Sequence, residues 1–263
     1  MHSTLVSATV LLFSVAIASA GLKTEEVFYH GGGVALKGYL AWDDTATAPR
    51  PGVLVVHEWW GQNEYVRMRA RKLAELGYVA LAIDMYGEGK LADHPQDAGQ
   101  FAGDVMANLD TARKRFEAAL NCLNQRPEKD PGKTAAIGYC FGGGVVLHMA
   151  RLGVDLRGVA SFHGSLDAKA TAKPGVVKAR VLVCNGADDI FVTAEAIQRF
   201  KQEMENAGVD YDFISYPGAR HAFTNPEATA AGEKFGLPIA YQKEADEASW
   251  QALKEFLVEV FAP

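Results

Sequence analysis

The chain has 263 residues, 49% of them hydrophobic, and a formal net charge of −6 at pH 7. About 240 residues remain if the N-terminal segment is removed, which is a normal length for one α/β enzyme domain with a full core. The acidic balance argues against a nucleic-acid-binding protein, which would need a basic face. The sequence contains no cluster of Lys and Arg, so nothing in it indicates binding to an anionic membrane.

The first twenty residues predict an export signal. Residues 11–18 are almost all apolar and lead into Ala18-Ser19-Ala20, a small-x-small cleavage pattern. The apolar run is too short for a comfortable transmembrane helix, although an uncleaved anchor stays open because no Lys or Arg precedes it. We therefore expect residues 1–20 to be a signal peptide. Residues 21–263 would form one exported domain, periplasmic or secreted, with no stable membrane anchor.

Apolar strand-like runs then alternate with helical patterns. Residues 34–42 alternate like an antiparallel strand whose partner is 25–30, and the continuous apolar run 51–58 is typical of a strand buried on both faces. Further strands are predicted at 78–84, 134–139, 158–163, 179–186 and 211–218, and helices at 64–76, 96–124, 141–151, 194–207 and 239–261. This order predicts an α/β domain with a mostly parallel central sheet, helices on both faces and antiparallel N-terminal strands.

A glycine-rich turn follows the predicted strand 134–139. Its sequence Gly-Tyr-Cys-Phe-Gly, residues 138–142, matches a nucleophile elbow in which Cys140 takes the usual place of serine. The flanking glycines leave room for a strained turn. The next helix would direct its partly positive N-terminus at the thiol and favour the thiolate. The alternative is a packed cysteine in a glycine-rich turn.

An acid and a base follow the cysteine in the order expected for an elbow of this kind. Asp189 comes after the predicted strand 179–186, and His221 comes after the strand 211–218. Asp188 is an alternative acid, Asp189 could instead cap the next helix, and His221 could be a surface histidine. The favoured interpretation is a catalytic triad of Cys140, Asp189 and His221.

The segment His-Glu-Trp-Trp-Gly, residues 57–61, follows another central strand. The loop at this position usually supplies one N–H of the oxyanion hole, so we predict that the backbone N–H groups of Trp59 and Phe141 form the hole. Glu58 could hydrogen-bond the thiol and compete with His221 for it, or it could be a surface glutamate. Five aromatic residues are expected either to make the pocket apolar or to pack ordinarily: Trp59, Trp60, Tyr86, Phe141 and Phe223.

The other cysteines and histidines do not indicate a metal site. Cys122 lies in a predicted helix and Cys184 in an apolar strand, so both are interpreted as buried apolar side chains. Neither CxxC nor HExxH spacing occurs. We predict no cofactor and no metal ion.

Taken together, the segments HEWWG, AIDMYGEG, GYCFGG, GADDIFV and ARHAF resemble the dienelactone hydrolase family of α/β-hydrolases over about residues 24–261. The resemblance implies an α/β-hydrolase fold with Cys140 as nucleophile, His221 as base and Asp189 as acid. It also implies that Glu58 is the glutamate that holds the cysteine until substrate binds.

The chain departs from that family where arginines grip a substrate carboxylate. One of these arginines lies four residues after the histidine, where this chain has Asn225, and none follows Pro95-Gln96-Asp97 within reach. We therefore expect the chain to hydrolyse a small-molecule ester, lactone or thioester without arginines that bind a substrate carboxylate. We also expect a monomer or small homo-oligomer. A non-catalytic binding protein and a thiol-redox protein on the same fold are the alternatives.

Overall fold

The computed structural model describes residues 21–262, so the predicted signal peptide lies outside it. One eight-stranded sheet runs through the described chain and carries helices on both faces. The strands are β1 (Leu22–Gly31), β2 (Val34–Asp43), β3 (Arg50–Val56), β4 (Val79–Ile83), β5 (Lys129–Tyr139), β6 (Gly158–Phe162), β7 (Arg180–Gly186) and β8 (Tyr211–Tyr216). The helices are α1 (Glu64–Glu75), α2 (Pro95–Ala107), α3 (Leu109–Asn124), α4 (Phe141–Arg151), α5 (Ala194–Ala207), α6 (Ala228–Phe235) and α7 (Lys243–Val260).

The sheet has an antiparallel edge and a parallel centre. Its strand order is β1-β2-β4-β3-β5-β6-β7-β8. β2 pairs antiparallel with both β1 and β4, and every neighbouring pair from β4–β3 to β7–β8 is parallel. The predicted α/β-hydrolase fold is confirmed, including its antiparallel N-terminal strands.

Two apolar layers hold the sheet between its helices. Side chains of β3 alternate between them, with Leu54 and Val56 in one layer and Val53 and Val55 in the other, as the strand pleat requires. Helices α1 and α7 cover the second layer, and α3, α4 and α5 cover the first. The carboxyl ends of the parallel strands therefore meet at one sheet edge, where α/β folds place their ligand sites.

Two helical predictions were wrong, and one short helix was missed. The predicted helix 96–124 is two helices, because Asn108 leaves the helical conformation and its side chain accepts the N–H of Thr111 to cap α3. The predicted helix 239–261 begins only at Lys243. Residues 239–242 instead hydrogen-bond to the loop after β8, and the short helix α6 was not predicted.

Cys184 is fully buried in β7, as predicted, whereas Cys122 in α3 is only half-buried. All three cysteines are free thiols. Across residues 21–262 no helix has the length and apolar character needed to cross a membrane.

Candidate active site

Cys140 lies in a strained turn between β5 and α4. Its φ is +53°, a conformation that non-glycine residues rarely adopt and that is found where a structure enforces it at functional sites. A Cβ on Gly138 would lie 2.1 Å from the carbonyl oxygen of Gly142, and one on Gly142 would lie 2.4 Å from that of Val56. The spacing of the two glycines around the cysteine is thus a steric requirement of the turn.

The three residues predicted as a triad lie together at the carboxyl ends of β5, β7 and β8. The Nε2 of His221 is 3.1 Å from the Sγ of Cys140, and its Nδ1 is 2.8 Å from the Oδ2 of Asp189. Asp189 is buried, and its other oxygen accepts the N–H of Phe191. Asp188 is exposed, so the structure favours Asp189 over this alternative as the partner of the histidine.

The loop that carries His221 is hydrogen-bonded to residues 239–242, a segment that the sequence predicted to be helical. Ile239 forms a parallel bridge with His221, and the N–H of Ala240 donates to the carbonyl of His221 at 3.2 Å. Gly186 ends β7 beside this loop, where a Cβ would meet the carbonyl oxygen of Ala219 at 2.3 Å. The backbone of His221 is therefore fixed by tertiary contacts.

His221 is electrostatically suited to hold a proton. Burial lowers its pKa, but the adjacent Cys140 and Asp189 raise it by more, to about 10. A histidine with this pKa is an imidazolium at neutral pH and can donate a proton from Nε2.

The two predicted oxyanion donors, the N–H groups of Trp59 and Phe141, are held in defined orientations by their neighbours. Phe141 is the first residue of α4, so its N–H has no acceptor within the helix. The carbonyl of Glu58 accepts from the Nδ1 of His57 at 2.5 Å, which turns the N–H of Trp59 the opposite way across the same planar peptide. Neither N–H is bonded to another group in residues 21–262.

His57 is a supporting residue to which sequence reasoning gave no role. It is fully buried, and its Nε2 accepts the N–H of Met85 while its Nδ1 donates to the loop. Burial lowers its pKa, which keeps the ring neutral and able to accept at Nε2. Its ring therefore sets the orientation of the peptide between Glu58 and Trp59.

Glu58 is neither a surface glutamate nor bonded to the thiol. It is 3% exposed, and its Oε2 accepts from the Nδ2 of Asn225 at 2.6 Å. Burial raises the pKa of Glu58 to about 7, although the bond from Asn225 acts in the opposite direction. The Oδ1 of Asn225 accepts the N–H of Glu227, so the amide nitrogen must face the carboxylate.

A cavity of about 580 Å³ opens above Cys140 and His221. Its apolar walls are Trp59, Trp60, Leu91, Phe191, Phe235, Leu237 and Ile239.

Of the five aromatic residues singled out in the sequence, Trp59 and Trp60 therefore line the pocket, and the other three pack behind it, which is the second of the two expected outcomes. Tyr86 donates its hydroxyl to the carbonyl of Trp59, Phe141 stacks on His57, and Phe223 is fully buried. All three side chains support the site from behind.

Among residues 21–262, carboxylates are the only charged side chains in the cavity wall apart from Cys140 and His221. Glu64, Asp93 and Glu227 are exposed around it, and Glu58 lies within. No Lys or Arg lines the cavity among residues 21–262. In the same part of the chain, no group of three or more His, Cys, Asp or Glu side chains is arranged to hold a metal ion.

Comparisons with known proteins agree with this architecture. The model of the dienelactone hydrolase family matches residues 36–261. Protein usf of Aquifex pyrophilus is 29% identical over 228 residues, which cover 83% of this chain and 97% of that protein. A candidate carboxymethylenebutenolidase of Saccharolobus solfataricus is 27% identical, over 89% of this chain and 97% of its own length.

Two solved structures are more similar still. The structure named m3DLH is 37% identical, with a TM-score of 0.87, and the match covers 92% of this chain and 100% of that one. A dienelactone hydrolase-like promiscuous phosphotriesterase from metagenomic libraries is 35% identical, with the same TM-score of 0.87 and the same coverage of 92% and 100%. The chain thus belongs to the dienelactone hydrolase family and is a carboxylic ester hydrolase of that type.

Proposed function

We propose that the chain hydrolyses small-molecule esters, lactones or thioesters through a thioester formed on Cys140. The observation that carries this proposal is the continuous contact from Asp189 through His221 to the thiol, at 2.8 and 3.1 Å. A nucleophile, a base and an orienting acid within hydrogen-bond reach are the arrangement that acyl transfer requires.

The reaction begins with attack of the Cys140 thiolate on the acyl carbonyl carbon. The N–H groups of Trp59 and Phe141 stabilise the negative charge that develops on the carbonyl oxygen. His221 gives its proton to the leaving alkoxide or thiolate, and the thioester remains. Water then attacks the thioester, His221 takes a proton from it, and the acid product leaves while the thiolate and the imidazolium re-form.

The cavity supports an uncharged, apolar substrate. Its walls are mostly aromatic and aliphatic, and its rim carries carboxylates and, within the described part of the chain, no Lys or Arg. Asn225 occupies the position where the family resemblance would place a carboxylate-gripping arginine, and its amide is committed to Glu58 and Glu227. The similarity to a promiscuous phosphotriesterase supports including uncharged phosphotriesters among the test substrates.

The proposal includes export and a simple assembly. Residues 1–20 would be removed near Gly21, giving a periplasmic or secreted monomer or small homo-oligomer without a membrane anchor. The first strand begins at Leu22, so cleavage there would leave the sheet complete.

The first test is incubation of mature protein and its Cys140→Ala variant with p-nitrophenyl acetate, followed by intact-mass analysis. Turnover and an acetyl adduct that are both lost in the variant would support the cysteine nucleophile. Folded, reduced protein without turnover or adduct would contradict it and favour a binding or thiol-redox role.

Glu58 is included as an auxiliary residue that influences the thiol through the charge of the pocket. Glu58→Ala should change the rate at which iodoacetamide alkylates Cys140 at pH 7, because a buried carboxyl group that can ionise near this pH would be lost. An unchanged rate would remove Glu58 from the mechanism.

A further inference from the structure

We propose that His163, acting through Thr224, is a positioning residue that links the cysteine turn to the loop carrying His221. The inference rests on the proposed function, since it concerns how that function's nucleophile and base are kept in contact. Within the triad, only the contact between Cys140 and His221 joins the turn between β5 and α4 to the loop after β8.

His163 contacts the cysteine turn directly. It follows β6, the neighbour of β5, and its ring is fully buried. Its Nδ1 accepts the backbone N–H of Cys140 at 3.1 Å, and the same N–H also reaches the carbonyl of Phe162 at 3.0 Å. The bond falls on the residue whose φ is +53°, where the backbone most needs support.

The other side of the ring contacts the histidine loop. Because Nδ1 is the acceptor for Cys140, the proton of a neutral ring is on Nε2, which donates to the Oγ1 of Thr224 at 2.7 Å. Thr224 lies three residues after His221. The rings of His163 and His221 also meet edge to face, with centroids 5.2 Å apart. One side chain therefore bridges the segments that hold the nucleophile and the base.

The loop end of this bridge is itself anchored. The Oγ1 of Thr224 is 2.6 Å from the hydroxyl of Tyr65 on α1. The backbone carbonyl of Thr224 accepts a hydrogen bond from Arg69. The guanidinium of Arg69 also pairs with the buried carboxylate of Asp246 on α7. A shift of the loop would break several buried polar contacts, each of which is expensive to leave unmade.

The bridge needs a neutral His163. The titratable or charged groups around it are His221, Arg69, Tyr139 and Cys140. Burial lowers the pKa of His163 well below its usual range, and His221 and Arg69 add to this effect. If His163 were protonated, its Nδ1 would carry a hydrogen and could no longer accept the N–H of Cys140. His163 therefore stays neutral, and His221 is the ring that carries the proton.

His163 also has a strained backbone conformation. Its φ is +40°, which costs free energy for a non-glycine residue and persists only where surrounding contacts enforce it. Both ring nitrogens have partners in catalytic segments, whereas the buried His148 bonds to Gly144 and Lys169. His148 thus provides a matched control for the loss of a buried histidine.

The test compares Thr224→Val with Thr224→Ser and His163→Leu with His163→Asn. Valine keeps the shape of Thr224 without its hydroxyl, while serine keeps the hydroxyl. Asparagine tolerates positive φ and can place an oxygen near Nδ1, while leucine can do neither. The readouts are kcat and KM with p-nitrophenyl acetate, and the pH profile of Cys140 alkylation by iodoacetamide, each on protein shown to be folded by circular dichroism.

Thr224→Val and His163→Leu should lower kcat by about tenfold or more with KM within about twofold, since small misplacements of reacting groups carry costs of this size. The alkylation profile should move to higher pH, because a thiolate that loses its imidazolium partner binds protons more tightly. Thr224→Ser should restore both readouts, His163→Asn should restore them in part, and His148→Leu should not move the alkylation profile.

An unmoved alkylation profile and an unchanged kcat in folded Thr224→Val and His163→Leu would overturn the inference. If wild-type protein shows no Cys140-dependent turnover, the proposed function fails instead. The alkylation profiles still test the bridge in that case, because they need no substrate.

Discussion

His221 lies between a thiol and a carboxylate, and each partner contributes to its elevated pKa. The Nδ1 contact with Asp189 orients the ring and stabilises its positive charge, while the Nε2 contact directs the proton toward Cys140. Loss of the carboxylate would allow the other tautomer and weaken the imidazolium.

We therefore expect Asp189→Asn to lower kcat/KM for p-nitrophenyl acetate by about 10²–10⁴-fold, as in other triads. Asp188→Asn is the matched control, since Asp188 is exposed and His221 bonds to its neighbour. Equal losses in both variants would show that the orienting carboxylate has been misassigned.

Glu58 should make the free energy of unfolding depend on pH. Its pKa is about 7 in the folded chain and 4.5 for a free carboxyl, so below pH 4.5 both states are protonated and stability is unaffected. Between pH 4.5 and 7 the unfolded chain ionises first, and the free energy of unfolding falls as pH rises. The full decrease is on the order of 3 kcal/mol.

Glu58→Gln should remove this decrease, because glutamine cannot ionise. Urea unfolding at pH 5 and pH 8 measures it as the difference between the two free energies, taken separately in wild type and variant. An equally large pH difference in both proteins would mean that Glu58 has an ordinary pKa in the folded chain.

Helix α4 carries glycines with opposite steric situations two positions apart. A Cβ on Gly142 would lie 2.4 Å from backbone carbonyl oxygen, whereas the nearest atom to one on Gly144 is 3.6 Å away. Gly142→Ala should therefore destabilise the protein by several kcal/mol or displace the elbow.

Gly144→Ala should be tolerated and could add about 0.5–1 kcal/mol, since alanine favours a helix interior over glycine. Urea unfolding, with ester hydrolysis measured in parallel, distinguishes the two variants. A mild Gly142→Ala would mean that the elbow can widen without cost.

Helix α6 forms one wall of the cavity, and its Phe235 ring lies 6.0 Å from that of Trp60. Phe235→Ala should raise KM for p-nitrophenyl octanoate by about tenfold, in line with the loss of roughly 1.5 kcal/mol of apolar contact. KM for p-nitrophenyl acetate should change little, since the acetyl group has little apolar surface to bury against that wall.

Val258→Ala removes an exposed apolar side chain from α7 and serves as the control. A KM for the octanoate that does not change in Phe235→Ala would place the long acyl chain elsewhere in the cavity.

The sheet and the elbow could be predicted from sequence because their signals are local. Apolar strand runs, the glycine spacing around Cys140, and the residues after β7 and β8 are each visible in short segments. The break at Asn108, the short helix α6 and the start of α7 depend on contacts made after folding. Ile239 pairs with His221 across the loop, and no periodicity in residues 239–242 indicates this pairing.

The bond from Asn225 to Glu58 was hidden for the same reason. The sequence predicts that Asn225 replaces an arginine, but the partner of its amide depends on the folded loop. Likewise, His163 follows an ordinary apolar strand, and only the pairing of β5 with β6 brings it under Cys140.

Over the whole molecule, charge and cavity shape act in the same direction. The chain is acidic, the exposed carboxylates Glu64, Asp93 and Glu227 surround the entrance, and the walls are apolar. An anionic substrate would have to lose water in such a cavity without gaining a cationic partner, which is costly. The site should therefore discriminate against negative charge on the acyl group.

Mono-p-nitrophenyl adipate and its methyl ester test this point, because they share a reacting ester and differ in one terminal charge. We expect kcat/KM for the anion to be about 10–100-fold lower, equivalent to roughly 1.4–2.7 kcal/mol. The gap should narrow in high salt, because the part due to the exposed carboxylates is screened. Asn225→Arg should also reduce the difference in kcat/KM between the two esters, because it places a cation beside the cavity. Equal rates for the two esters in wild-type protein would mean that substrate charge is read outside this cavity or not at all.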